Sequence, residues 1–240
     1  MTVASEPVRE STAQLSRGLD VGDIPVVASI GALFGVKLWV AMRGIVVGSP
    51  DSRWYRELDW SGRGRLPSAS LIYAILPTDR LAVVLVAVVS ALCIALLIWE
   101  VAATVRGVDG NYPLSGVSAV VIAGIALSGR FLLWDRVIYS ESLTVSFTAL
   151  TLALLLKLIR DQRPWVLLAG FLSALFLASL RETGPATLVL WWLAVVPVVT
   201  TMVRTSVASR WTVIVALAGS VPLALGLAWY GGQNTKGTAM

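Results

Sequence analysis

Between residues 48 and 68 the chain reads G-S-P-D-S-R-W-Y-R-E-L-D-W-S-G-R-G-R-L-P-S, with four arginines, three acids and three aromatic rings in one short stretch. Asp51, Arg53, Tyr55, Arg56, Glu57, Asp59, Arg63 and Arg65 carry its polar chemistry. Two later segments repeat the mixture on a smaller scale: Arg130, Asp135, Arg136, Tyr139 and Glu141, and then Arg181, Glu182 and Thr183. A guanidinium fork binds phosphate through two parallel hydrogen bonds. A carboxylate within reach of a hydroxyl can take its proton. The combination suits an anionic substrate that reacts with a deprotonated hydroxyl. The arginines of 48–68 would equally well touch anionic lipid headgroups, and residue types alone leave both readings open.

What surrounds these segments limits the chemistry further. The 240 residues contain no histidine, which removes the commonest general base and metal ligand. Catalysis would have to rest on carboxylates, arginines, hydroxyls or backbone groups. Cys93 is the single cysteine, so no disulfide can form within the chain, and its apolar setting argues against thiol chemistry.

The elements that must position these groups are membrane helices. Hydrophobic residues make up 57% of the chain and charged residues 14%, with a mean hydropathy of +0.80. A water-soluble surface cannot be built from that composition. A helix needs about 20 mostly apolar residues to cross a bilayer. By this measure seven spans are expected, near 24–46, 81–105, 114–130, 141–159, 164–180, 184–203 and 211–230. The expected fold class is all-α: a polytopic membrane protein of about seven transmembrane helices, with short interfacial helices in the first outer loop. Residues 1–23 read as a polar cytoplasmic tail and not a signal peptide. Residues 24–230 form the helical domain, with the outer loop at 47–80, and 231–240 form a short polar tail. The net charge of +5 is spread over span ends and makes no basic patch for nucleic acid.

With the N-terminus in the cytoplasm, eight basic residues fall inside (Arg9, Arg17, Arg106, Lys157, Arg160, Arg163, Arg204, Arg210). Ten fall outside: Arg43, Arg53, Arg56, Arg63, Arg65, Arg80, Arg130, Arg136, Arg181 and Lys236. The positive-inside bias therefore does not favour this orientation overall, although the tight loop K-L-I-R-D-Q-R (157–163) does. The outer arginines need another reason to be there. Lys37 and Glu100 lie within spans, close enough to their ends to be expected to snorkel to the surface.

The order of these features resembles the N-terminal half of the glycosyltransferase C superfamily, polytopic enzymes that use polyprenyl-phosphate-linked sugars. The protein O-mannosyltransferase and lipid A aminoarabinose transferase relatives are nearest in pattern. In D-S-R-W-Y-R-E-L followed by G-R-G-R-L-P, Asp51 matches the family's catalytic acid and Tyr55 the aromatic after it. In V-I-Y-S-E-S-L-T, Glu141 matches the acid where Ser-Glu-Ser opens an apolar helix. In L-A-S-L-R-E-T-G, Arg181 matches the arginine of the turn after the next helix. The resemblance covers roughly residues 24–200 and implies a cytoplasmic N-terminus with an outer active face. The pattern departs from the family at S-A-S-L-I-Y-A-I-L-P (68–77), where the usual aromatic-proline element is reduced, and in lacking the family's further spans.

The resemblance implies inverting transfer of a hexosyl or pentosyl group from a polyprenyl phosphate to an acceptor hydroxyl. It makes Asp51 the general base. Arg181, with Arg53 or Arg56, would hold the lipid phosphate, Tyr55 would help bind substrate, and Glu141 would orient an arginine. Glu141 could also join Asp51 at a divalent cation, for which oxygen ligands suit Mg or Mn. The implied partners are a lipid-linked sugar donor and membrane lipids. The excess of arginine over lysine suggests a GC-rich bacterial genome and hence a bacterial plasma membrane. The alternative reading is a non-catalytic membrane subunit or truncated remnant packed against a partner chain, with Gly116, Gly124 and Gly170 permitting close helix contact. A transporter would show mid-membrane acids, broken helices or repeated halves, and the sequence displays none of these.

Overall fold

The computed structural model describes residues 21–46, 68–109, 112–137, 140–180 and 184–204, and every element in them is helical. After a single 3-10 turn (Val21–Asp23), the helices are α1 (Ile24–Arg43), α2 (Ser68–Ile75), α3 (Asp79–Asp109), α4 (Tyr112–Ala126), α5 (Gly129–Arg136), α6 (Ser140–Asp161), α7 (Pro164–Leu180) and α8 (Gly184–Arg204). Residues 1–20 of the expected N-terminal tail, the expected C-terminal tail, the seventh span at 211–230 and most of loop 47–80 lie outside the described residues. Within that loop, the described part includes the short helix α2.

Local chemistry sets the helix ends. Pro25 occupies the first turn of α1, where a missing N–H costs nothing. Thr78 precedes α3, and its Oγ1 accepts the Leu81 N–H at 3.2 Å, as an N-cap should. Helix α6 ends where Gln162 takes a left-handed φ of 48° and its N–H closes on the Leu158 carbonyl at 2.9 Å. Pro164 then starts α7, which makes the tight turn legible in the sequence.

Among the described residues, three helical segments are long and apolar enough to cross a membrane: Val21–Arg43, Asp79–Gly107 and Ser140–Asp161. A fourth is reached if α4 and α5 count as one span. This corrects the expected continuous span at 114–130. Ser128 adopts an extended conformation (φ −62°, ψ 151°), the helix breaks there, and α5 leaves at 53° to α4. Two further apolar helices, Pro164–Leu180 and Ala186–Met202, are shorter. The described residues therefore hold three or four clear spans of the seven expected.

Helix α3 is the centre of the bundle and packs against α1, α4, α5 and α6, while α7 joins α6 to α8. The contacts are made by small residues: Ala91, Ala102, Ala119, Ala123, Ala149 and Ala153 are all buried. Trp191 lies so close to Gly170 that a Cβ there would stand 2.4 Å from its ring. Gly116 meets Pro25, whereas Gly124 faces open space. Large apolar side chains point outward instead, among them Leu92, Leu96, Val117, Val120, Ile125, Leu168, Leu172, Leu190 and Leu193. Lys37, Glu100, Asp135 and eight Ser or Thr side chains are buried. That distribution would be unstable in water and is that of a helical protein in lipid.

The ends of the bundle are tied by different contacts. At one, here called the loop end because Val46, the last described residue before the expected loop, lies there, are the C-terminus of α1, the N-termini of α3 and α6, and α5. At the other, the tail end, Asp23 pairs with Arg106, and Glu100 meets the last turns of α6.

Candidate functional site

Of the residues expected to do chemistry, Asp51, Arg53, Tyr55, Arg56 and Arg181 lie outside the described residues. Glu141 is described: it sits half-buried in the first turn of α6, flanked by buried Ser140 and Ser142. A carboxylate at a helix N-terminus is favoured by the helix dipole. The chain on either side of the other motifs is described as well. Val46, one residue short of loop 47–67, packs on the cluster built from Tyr73 of α2, Ala82 and Val86 of α3, Leu143 of α6, and Leu177 and Leu180 of α7. Leu143 is two residues past Glu141, and Leu180 immediately precedes Arg181. The stems of all three motif segments therefore converge on one apolar cluster at the loop end.

Beneath that cluster is a buried polar centre whose pairing the residue order did not reveal. The Lys37 ammonium of α1 donates to Asp135 Oδ2 of α5 and, at 3.0 Å, to Ser90 Oγ of α3. The Ser142 hydroxyl of α6 donates to the other Asp135 oxygen. Lys37 and Asp135 are 1% and 3% exposed. Four helices thus meet at a neutral, closed network. The expectation that Lys37 snorkels is overturned: its charge is met inside the bundle, where pairing replaces the water it would otherwise seek. Asp135 likewise leaves the group of loop carboxylates, because both of its oxygens are engaged internally.

Two of the arginines expected on the outer side have internal partners. Arg80 Nη1 lies 3.1, 3.0 and 2.6 Å from the carbonyl oxygens of Ala41, Met42 and Gly44. Arg136 donates from Nε and Nη2 to the Ile45 carbonyl at 3.1 and 2.9 Å. The last carbonyls of a helix have no partner within it; Arg80 supplies one to Ala41 and Met42, while Arg136 holds the Ile45 carbonyl just past the helix end. Part of the basic excess at this end therefore serves the backbone of α1, leaving fewer arginines for a ligand.

At the tail end, Glu100 does not reach the surface either. It is 4% exposed, 2.9 Å from Arg160 Nη1 and 3.6 Å from Lys157 Nζ, and Lys157 also lies 3.0 Å from Asp161. Arg106 pairs with Asp23 and places its guanidinium over the rings of Trp99 and Tyr112.

A divalent cation finds little here. Among the described residues no three Cys, Asp or Glu side chains gather as a ligand set, and Asp135 is committed to Lys37 and Ser142. Two signals in the sequence could have pointed to the polar centre: a lysine inside an apolar span needs a partner, and W-D-R follows the helix break at a similar depth. No family model matches the chain, and no curated protein or solved structure matches it.

Proposed function

We propose that the chain is a glycosyltransferase-like membrane enzyme that moves a sugar from a polyprenyl phosphate to an acceptor hydroxyl at the outer face of a bacterial plasma membrane. Asp51 takes the acceptor proton as the acceptor oxygen bonds to the anomeric carbon. The bond from that carbon to the phosphate oxygen breaks with inversion, and its electron pair leaves on the polyprenyl phosphate. Arg181, with Arg53 or Arg56, holds that phosphate and stabilises its growing charge. Tyr55 lines the donor site and Glu141 orients an arginine. No step is assigned to a metal. The arrangement proposed has a cytoplasmic N-terminus and seven spans, with α7, α8 and 211–230 completing the set begun by α1, α3, α4–α5 and α6.

One observation carries this reading. Val46, Leu143 and Leu180, the stems of the three motif segments, pack in one cluster at one end of the bundle. Segments anchored on a common cluster can deliver a base and phosphate-binding groups to one substrate. Asp51→Asn keeps the shape and removes the base, so transfer in membranes supplied with a polyprenyl-phosphate sugar should fall by about 10²–10⁴-fold. Unchanged transfer would sink the assignment.

A second reading, a non-catalytic subunit, is favoured by the small residues Gly31 and Gly35 on α1, which face open space one helical turn apart as in helix pairs that pack closely. Sugar transfer by the purified chain alone would decide against it.

A further inference from the structure

One loop-end cation is not engaged by the protein itself. Arg130, the second residue of α5, is exposed and makes no hydrogen bond or ion pair with any described residue. Helix α1 serves as a ruler for its depth. Helices α1 and α4 run side by side in the same direction, with Gly116 against Pro25. Ser128, twelve residues past Gly116, therefore stands about level with Lys37, twelve past Pro25. There the helix breaks, Ser128 is exposed, Gly129 faces open space, and α5 leaves at 53° to α4. At that inclination each α5 residue gains only about 1 Å toward the loop end, which puts Arg130 about 10 Å short of Ile45. The neighbouring helices stay apolar on their outward faces beyond that level. On α1 the exposed side chains continue through Trp39, Met42 and Ile45. On α3, whose Ser90 marks the Lys37 level, they continue through Leu85 to Leu81. A bilayer fitted to α1 and α3 would thus bring hydrocarbon against an exposed guanidinium on α5.

We propose that Arg130 is a phospholipid site: it draws the phosphodiester of a lipid headgroup down to the α4–α5 break and thins the bilayer beside α4. Leaving a guanidinium unpaired in hydrocarbon is costly, whereas bilayer thinning costs little per ångström. A guanidinium is also weakly hydrated and meets two phosphate oxygens at once, so a phosphate replaces its water well. The break supplies the opening, because Ser128 and Gly129 put no bulky side chain beside Arg130. This inference stands apart from the sugar-transfer reading and uses none of its residues.

The test places a nitroxide on the exposed side chain three residues further along α5, as Leu133→Cys in a Cys93→Ala background of the full chain. The measured quantity is its collision rate with a water-soluble nickel chelate. In phosphatidylcholine vesicles the label should lie at headgroup level and collide readily. Adding Arg130→Leu should lower the rate by about threefold or more, as acyl chains close over α5. Moving the Arg130 chain into galactolipid vesicles, whose sugar headgroups carry no phosphate, should lower it equally. Arg130→Lys keeps the charge without the fork and should fall between the two. If Arg130→Leu does not accumulate, the exchange of lipids decides, since it needs no arginine variant. An unchanged rate in Arg130→Leu would overturn the site. A drop in Arg130→Leu with none in galactolipid would mean that the arginine reaches water or any headgroup, and would overturn phosphate as its partner. Recovery in galactolipid on adding inorganic phosphate would give the site to a soluble anion and overturn the lipid.

Discussion

The two ends of this bundle solve the problem of charge in a membrane protein in different ways. At the loop end, Lys37 and Asp135 are sealed from solvent and satisfied by two serines from two other helices. At the tail end, Glu100 is buried, but its partners Lys157 and Arg160 remain 25% and 35% exposed and share Asp161. The first arrangement is neutral, closed and short of alternatives. The second is open on one side, and Lys157 and Arg160 can exchange Glu100 for water. Burial of both partners, and not the number of charges, makes a pair decisive for structure.

That contrast can be broken experimentally. The largest effect is expected from Lys37→Met, which strands the Asp135 charge inside the bundle and should cost about 3–5 kcal/mol, read as thermal unfolding in detergent. Adding Asp135→Leu should recover most of the loss, since an apolar pair replaces an ionic one without stranding a charge. A double variant as unstable as the single one would show that the pair does more than neutralise itself. A smaller effect is expected at the tail end, where Glu100→Gln should cost about 1 kcal/mol, because Lys157 and Arg160 can turn to water and Asp161. Raising salt should be the gentlest probe. Screening acts within about 10 Å at 0.1 M ionic strength and reaches exposed charges first. The cost of Glu100→Gln should therefore shrink in high salt, while that of Lys37→Met stays constant. Equal salt sensitivity would erase the distinction between the two ends.

The comparison also shows why some of the site was legible in the residue order and some was not. Helix α6 opening at Ser140-Glu141-Ser142 and the turn at Gln162–Pro164 are local events, governed by capping, dipole and φ preferences within a few residues. Hydropathy found the apolar stretches for the same reason. The break at Ser128 escaped it, because hydropathy averages over a window and Leu127-Ser128-Gly129 is no more polar than an ordinary helix interior. Arg80 and Arg136 looked like surplus charge because backbone carbonyls, their actual partners, leave no trace in residue types.

By itself the sequence determined that this is a helical membrane protein, that any chemistry done by its own side chains would proceed without histidine, and that its acids and arginines gather beside particular helix ends. Composition and short-range periodicity act on each segment independently of the rest of the chain, so they survive in one dimension. Only the tertiary structure decided which charges are spent internally. Lys37 and Asp135 are 98 residues apart, and what joins them is the packing of α1, α3, α5 and α6 around a space that excludes water. In that space a charge must find its opposite, and the folded bundle, not the local sequence, dictates which one it meets.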